Sequence, residues 1–205
     1  MKTQLILLIT LVILSGCSYQ PTVQPQSSSW SDHQQRLITY DQWQLQGKLG
    51  FKTLDRGGSA TVYWSQNQQQ YQVQLKGPLS AGNVVIEGDQ TSAQMLSGDK
   101  LYRAAPTALA ARFTGLPIPV DALAWWVRGL PNPHSNPNPN SNPNSTELTG
   151  LITNPDGTAA SFVQQGWQLT FSRYHMTNAG LLPKKVSGQL GDQSFKLVIS
   201  RWNSP

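Results

Sequence analysis

The sequence predicts a mainly β fold in which two short helices interrupt a series of antiparallel strands. Apolar and polar residues alternate in several short stretches, separated by turn signals about every ten residues. The alternation stops between residues 106 and 130, where apolar residues recur at helical spacing, and it returns between residues 147 and 202. Strands on both sides of a helical pair are typical of a sheet that folds around or under the helices. These patterns leave an antiparallel sheet, a sandwich and a barrel open.

The first half of the folded body is expected to contain one helix and a run of strands. The helix spans residues 30–40 and places Trp30, His33 or Gln34, and Leu37 on one side. Strands are expected at residues 43–51, 60–65, 71–75, 84–86, 91–95 and 101–103. Gly47 continues the apolar face of the first strand, which predicts a bend or a close contact there.

The second half begins with the helical pair. An alanine-rich helix at residues 106–113 ends before Gly115, and a second helix at residues 121–128 precedes Gly129. Strands are expected at residues 147–153, 159–165, 168–174, 184–190 and 195–202. Residues 131–145 consist almost wholly of Asn, Pro and Ser, so they are predicted to be a disordered surface insertion that buries nothing.

The N-terminus has the pattern of a lipoprotein signal peptide. A basic start is followed by an apolar run at residues 5–14, which is too short for the roughly 20 residues that span a bilayer. The run ends in Leu-Ser-Gly-Cys at residues 14–17, which resembles the bacterial lipobox. We expect a signal peptide at 1–16, lipid attachment at Cys17, a lipidated flexible tether at 17–29, and one domain at 30–205. The alternative is a buried apolar helix with a chance cysteine.

Composition and motifs argue against several function classes. The formal net charge is +5, but the basic residues are scattered, so nucleic acid is not expected as a partner. Half of the acids lie in predicted turns, the three histidines lie in separate regions, and no nucleotide-binding or nucleophile motif occurs. We therefore expect no enzyme activity, no cofactor and no metal. A hydrolase with a dispersed site remains an alternative.

One loop carries an apolar residue where water would favour a polar one. Residues 77–83 read Gly-Pro-Leu-Ser-Ala-Gly-Asn between two strands, with Leu79 at or near the tip. Leu79 either folds back over the end of the sheet or is held out towards a membrane or another apolar surface. The large apolar side chains elsewhere present a similar choice, because they form either an ordinary core or the wall of a lipid-sized cavity.

An ordered set of short motifs resembles the LolB family, the outer-membrane receptors for lipoproteins in Gram-negative bacteria. The matching residues, besides the lipobox, are Trp30, His33 and Leu37; 47–51; 63–66; 77–79; 116–119; and the Leu-x-x-Trp-x-x-Gly-Leu-Pro pattern at 123–131. They occur in family order and cover nearly the whole chain after Cys17. The chain departs from the family pattern at the 131–145 insertion and at Ser80, where glycine is usual.

The resemblance implies a fold, a function and a set of site residues. The fold is an incomplete antiparallel β-barrel that encloses an apolar cavity under short helices. The function is to accept lipoproteins from the periplasmic carrier LolA and insert them into the inner leaflet of the outer membrane, where the protein is anchored through Cys17. The membrane-insertion loop falls on Pro78 and Leu79. The candidate cavity residues are Trp64, Met95, Leu123, Trp126 and Trp167.

The resemblance also defines the expected partners and leaves one other function class open. The partners are LolA, triacylated lipoproteins and outer-membrane phospholipid, and the protein is expected to be a monomer. The other class is a structural outer-membrane lipoprotein that scaffolds an envelope complex, with its tryptophans serving only as core. Saturable lipopeptide binding without turnover distinguishes a carrier from a scaffold and from an enzyme.

Overall fold

The computed structural model describes residues 29–77, 82–133 and 148–203. Several sequence predictions lie outside these ranges: the signal peptide, Cys17, the tether up to residue 28, the loop residues Pro78 and Leu79, and residues 134–145 of the insertion.

Within the described ranges, eleven antiparallel strands form one open sheet. Its strands, in chain order, are β1 Gln42–Lys52, β2 Gly57–Asn67, β3 Gln70–Lys76, β4 Asn83–Gly88, β5 Ala93–Ser97, β6 Lys100–Ala104, β7 Thr149–Thr153, β8 Ala159–Gln164, β9 Trp167–Ser172, β12 Lys185–Leu190 and β13 Gln193–Asn203. In space they run β6-β5-β4-β3-β2-β1-β13-β12-β9-β8-β7. The strands β6 and β7 are therefore the two edges, and the sheet does not close. This confirms the predicted mainly β fold with an incomplete antiparallel barrel.

The centre of the sheet joins the two halves of the chain. Strand β1 pairs with β2 on one side and with β13 on the other, and the β1–β13 register shifts between Gln46 and Gly47. A Cβ atom added at Gly47 would lie 2.5 Å from the backbone oxygen of Val198, closer than atoms can approach. The prediction of a close contact at Gly47 is confirmed, and its partner is the strand that follows the helices and the insertion.

The described part of the chain has three short helices beside the sheet: α1 Trp30–Ile38, α2 Pro106–Thr114 and α3 Val120–Trp126. Helix α1 begins with a capping box between Ser29 and Asp32, in which each side chain accepts a hydrogen bond from the other residue's backbone N–H. Helix α2 ends at Gly115, whose φ of +78° is left-handed, as the glycine stop predicted. Among the described residues, no helix is long and apolar enough to cross a bilayer.

The helices and the inner face of the sheet bury the core between them. One cluster contains Leu109 of α2 and Val127 together with residues of the strands β1 to β5 and β13. A second cluster contains Leu116 and Trp126 together with residues of β8, β9 and β12. A small third cluster contains Leu37, Leu130 and Leu182. Leu182 lies in a hairpin that the sequence did not predict, formed by β10 His175–Thr177 and β11 Gly180–Leu182.

The start of the predicted insertion needs a correction. Residues 131–145 were expected to bury nothing, yet Asn132 is only 4 % exposed. Its backbone N–H donates to Gln164 Oε1 at 2.9 Å, its carbonyl accepts from Gln164 Nε2, and its side-chain amide donates to Asp121 Oδ2. Asn132 therefore belongs to the folded body. Its side-chain amide pairs with a carboxylate that an apolar residue at this position would leave unpaired.

Candidate functional site

A small cavity lies between the inner face of the sheet and the two helices α2 and α3. Its volume is about 80 Å³, and no polar atom of its lining is exposed to it. The lining residues are Leu49, Val62, Trp64, Tyr71, Val73, Leu75, Ile86 and Leu197 from the sheet, and Ala110, Phe113, Thr114, Ile118, Val120 and Leu123 from the helical segment. Water needs polar partners in a buried site, so an apolar space of this kind favours hydrocarbon.

The lining is apolar because its polar side-chain atoms are bonded elsewhere. The hydroxyl of Thr114 donates back to the carbonyl of Ala110 at 2.8 Å, within α2. The indole N–H of Trp64 donates to Gln66 Oε1 at 3.1 Å, two residues along the same strand. Each of these groups satisfies its hydrogen-bonding need without pointing at the cavity. The hydroxyl of Tyr71 is the exception, since it has no partner among the described residues.

The structure divides the five candidate cavity residues into two groups. Trp64 and Leu123 line the cavity, from the sheet side and the helix side respectively. Met95 is buried in the same cluster, paired across strands with Ile86 and Tyr102, but it is not in the lining. Trp126 and Trp167 belong to the second cluster. Of the five, only Trp64 and Leu123 therefore line this cavity, and the contact of all five with acyl chains stays a prediction.

A hydrogen-bond network holds Trp126 in the second cluster. Its indole N–H donates to Gln164 Oε1 at 2.8 Å, and the same oxygen accepts from the backbone of Asn132. Trp167 lies on β9, and its ring centre is 5.3 Å from that of Phe195. The sequence signal for these tryptophans was burial alone, and burial does not distinguish core from cavity wall.

Arg128 fixes the chain just after α3 to the end of α1. This side chain is 4 % exposed, and its Nη1 donates to the carbonyls of Leu37 at 2.9 Å and Tyr40 at 2.6 Å. Its guanidinium also lies 4.3 Å from the centre of the Trp125 ring. Burial lowers the pKa of Arg128 to about 10, which still leaves it charged at neutral pH. Arg128 and Gln164 were not singled out from the sequence, because their partners lie tens of residues away along the chain.

Helix α2 is held to the sheet by other contacts than those that hold the end of α3. It lies against β5 and β6, its Phe113 ring packs 6.1 Å from that of Phe51 on β1, and Arg112 is stacked 4.0 Å from the centre of the Tyr102 ring. The end of α3, in contrast, is joined to the rest of the protein by the buried hydrogen bonds of Trp126 and Arg128. Apolar contacts are non-directional, whereas the hydrogen bonds at the end of α3 fix the relative position of their partners.

A polar cleft of about 760 Å³ adjoins the apolar cavity. Tyr71 and Val120 line both spaces, one on the sheet and one at the start of α3. The rest of the cleft is rich in amides and carboxylates, from the β2–β3 turn, the β4–β5 turn and the segment around Asp41. Among the described residues, no group of three His, Cys, Asp or Glu side chains could hold a metal ion.

Comparisons with known proteins relate the chain to one family of outer-membrane lipoproteins. The family model described as outer membrane lipoprotein LolB matches residues 41–202. The outer-membrane lipoprotein LolB of Pseudomonas fluorescens is 33 % identical over 199 residues, which cover 94 % of this chain and 91 % of the relative. That of Cellvibrio japonicus is 31 % identical over 204 residues, covering 97 % of this chain and 95 % of the relative.

A solved structure supports the same fold. The crystal structure of a LolA superfamily protein from Nitrosomonas europaea matches with a TM-score of 0.53 at 8 % identity, covering 87 % of this chain and 94 % of that one. At this identity the likeness shows the fold alone. The family model covers most of the chain, and relatives above 30 % identity match nearly all of it. The chain therefore belongs to the LolB family of outer-membrane lipoproteins.

Proposed function

We propose that the protein accepts lipoproteins from the periplasmic carrier LolA and inserts them into the inner leaflet of the outer membrane. The acyl chains of the lipoprotein enter the space between the sheet and the helices α2 and α3. The observation that carries this proposal is the carbon-lined cavity under the helices, with Trp64 on one wall and Leu123 on the other. Family membership supports it, and the inner face of the open sheet supplies one apolar wall of the cavity.

The energetics require such a shelter. Each methylene moved from hydrocarbon into water costs about 0.8 kcal/mol, so exposing several acyl chains costs tens of kcal/mol. The sequence contains no nucleotide-binding motif to supply that energy. Transfer must therefore run between apolar surroundings, from the cavity of the donor to this cavity and then to the bilayer. Each step is downhill if this cavity shelters acyl chains better than the donor does and less well than the membrane.

The helices must move for the cavity to admit a chain. Pockets that bury small ligands have volumes of roughly 300–1,000 Å³, whereas this cavity has about 80 Å³. The described arrangement is therefore a closed form. In our proposal α2 moves away from β5 and β6, because apolar contacts and one stacked arginine hold it, while Arg128 and Trp126 keep the end of α3 in place.

Filling the cavity tests the proposal. Leu123→Trp places a large ring in the cavity under the helices. It should weaken binding of a fluorescent triacylated lipopeptide at least tenfold, because the ring occupies volume that the acyl chains need. Val85→Trp, on the outward face of β4, is the matched control and should bind normally. Binding is measured as saturable fluorescence change at one lipopeptide per protein. Equal affinity of both variants would contradict the cavity's role, and absence of binding to the wild type would favour a scaffold.

The loop between β3 and β4 supplies the last step in this proposal. Leu79 of that loop is proposed to enter the inner leaflet of the outer membrane and ease release of the acyl chains. Its support is the apolar residue at a loop tip and the match of residues 77–79 to the family pattern. Tethering through Cys17 would keep this loop close to the membrane that receives the lipoprotein.

A further inference from the structure

The hydroxyl of Tyr71 is a buried polar group without a hydrogen-bond partner among the described residues. The residue is 8 % exposed, and its ring packs 6.5 Å from that of Trp64. An unsatisfied buried hydroxyl is costly, and most buried polar groups in proteins are paired. Phenylalanine would fill the same space without that cost, so the hydroxyl is a candidate donor to a bound ligand.

Tyr71 stands at the boundary between two different environments. It lines the apolar cavity together with Val73 and Leu75, which follow it on the same face of β3. It also lines the polar cleft, together with Val120 at the start of α3. A molecule that occupied both spaces would pass Tyr71 at the point where its apolar part meets its polar part.

The polar cleft has the chemistry of a site for groups that form hydrogen bonds. Its lining contains several amide side chains, which donate and accept hydrogen bonds. The amides are Gln66, Asn67, Gln68, Gln69, Gln70 and Gln90. Three carboxylates, of Asp41, Asp89 and Asp121, and the guanidinium of Arg128 also line it. Such a lining suits a glyceryl group and the start of a polypeptide better than it suits hydrocarbon.

We propose that the Tyr71 hydroxyl donates a hydrogen bond to an ester carbonyl of the diacylglyceryl group of a bound lipoprotein. The ester carbonyl is the first polar atom at the end of each glyceryl-linked acyl chain, so it lies at this boundary when the chain is in the cavity. The polypeptide then leaves through the amide-rich cleft. This inference rests on the proposed function and adds the atom that positions the acyl chains within the site.

The protonation state of Tyr71 suits this role. Burial, together with the nearby carboxylates of Asp89 and Asp121, raises the pKa of Tyr71 to about 12. The hydroxyl therefore keeps its proton at neutral pH and can donate. An ester carbonyl accepts but does not donate, so the two groups are complementary.

The test compares two lipopeptides that differ only at the proposed acceptor. One is an S-diacylglyceryl cysteine peptide, and the other is its S-dialkylglyceryl ether analogue with the same chain lengths and the same amide. Wild-type protein should bind the ester roughly 5- to 30-fold more tightly than the ether, the range expected for one buried hydrogen bond. Tyr71→Phe should remove this preference while leaving affinity for the ether unchanged. Tyr63→Phe is the control, because the Tyr63 hydroxyl bonds to Gln46 away from the cavity.

The outcomes separate this inference from the proposed function. Binding of both lipopeptides with no ester preference in the wild type overturns the role of Tyr71 but leaves the proposed function intact. An equal loss of affinity for both in Tyr71→Phe also overturns it, since the ether lacks the acceptor. Failure of the wild type to bind either lipopeptide contradicts the proposed function itself. The wild-type comparison needs no variant, so it is independent of any folding defect.

Discussion

His33 shows how one residue of the family pattern contributes to the fold. It is 3 % exposed, its ring centre lies 6.1 Å from that of Trp30 and 6.3 Å from that of Tyr174, and its Nε2 has no hydrogen-bond partner among the described residues. Burial lowers the pKa of His33, Arg36 lowers it further, and Asp156 opposes the shift. The folded protein therefore prefers the neutral imidazole, which packs as an aromatic ring.

This environment predicts a pH dependence of stability. The pKa of His33 is lower in the folded than in the unfolded state, where it is about 6.5. The contribution of neutral His33 to the stability of the fold is therefore complete above pH 6.5 and declines as the pH falls below that value. The free energy of unfolding, measured by urea denaturation, should fall between pH 7.5 and 5.5. His33→Phe should reduce this slope, and His175→Gln, at an exposed position, should not. An unchanged slope in His33→Phe would show that another group is responsible.

Leu79 is the residue through which release into the membrane can be tested. Leu79→Glu places a charge at the loop, and a carboxylate enters hydrocarbon at a large cost. We expect normal folding and normal lipopeptide binding, but loss of incorporation of bound lipoprotein into liposomes. Ser80→Glu is the neighbouring control, since it adds the same charge without removing the leucine. Incorporation by Leu79→Glu at the wild-type rate would exclude the proposed role of the loop.

At the scale of elements, the pairing of β1 with β13 holds the two halves of the chain together. Gly47 permits this approach, because any side chain there would meet the backbone oxygen of Val198 at 2.5 Å. Backbone atoms in the centre of a sheet cannot move aside as the end of a flexible side chain can. The strand pair therefore depends on one glycine, at the position where the register shifts.

Gly47→Ala should destabilise the protein by about 1–3 kcal/mol, the range for overpacking a well-packed interior. Gly50→Ala is a matched control on the same strand, since a Cβ there would meet nothing closer than 3.9 Å. Chemical denaturation of both variants measures the difference. If both have the same stability, the close contact at Gly47 is relieved by a small shift and does not constrain the sheet.

Sequence periodicity predicted the elements better than it predicted the site. Alternation identified the long strands because one face of each is buried, and Gly115 identified the end of α2. The predicted end of α3 before Gly129 was wrong, because the helix ends at Trp126 and a turn leads to the glycine. The hairpin of β10 and β11 was missed because strands of three residues carry no detectable period. Asn132 was missed because its composition matches the following residues, while its partners Gln164 and Asp121 are distant in sequence.

At the scale of the whole molecule, the position of the helices decides which buried residues form a site. Trp64 and Trp167 have the same alternating pattern and nearly the same burial, at 4 % and 1 % exposed. Residues of α2 and α3 line the cavity beside Trp64, whereas Ala122 and Trp126 of α3 pack in one buried cluster with Trp167. Local patterns report burial, whereas a cavity depends on how distant elements fit together, so the five candidates could not be sorted from the sequence.

The central claim is that acyl chains occupy the space between the sheet and the helices during transfer. Adjacent residues of β3 provide the most direct test, because Val73 lines the cavity and Gln72 is exposed on the opposite face. A photoreactive phenylalanine is placed at position 73 or at position 72, and each variant receives a lipoprotein with radiolabelled acyl chains from LolA. Irradiation should capture the labelled chains at position 73 and not at position 72. Equal capture at both positions, or capture at neither while LolA loses its lipoprotein, would contradict the account.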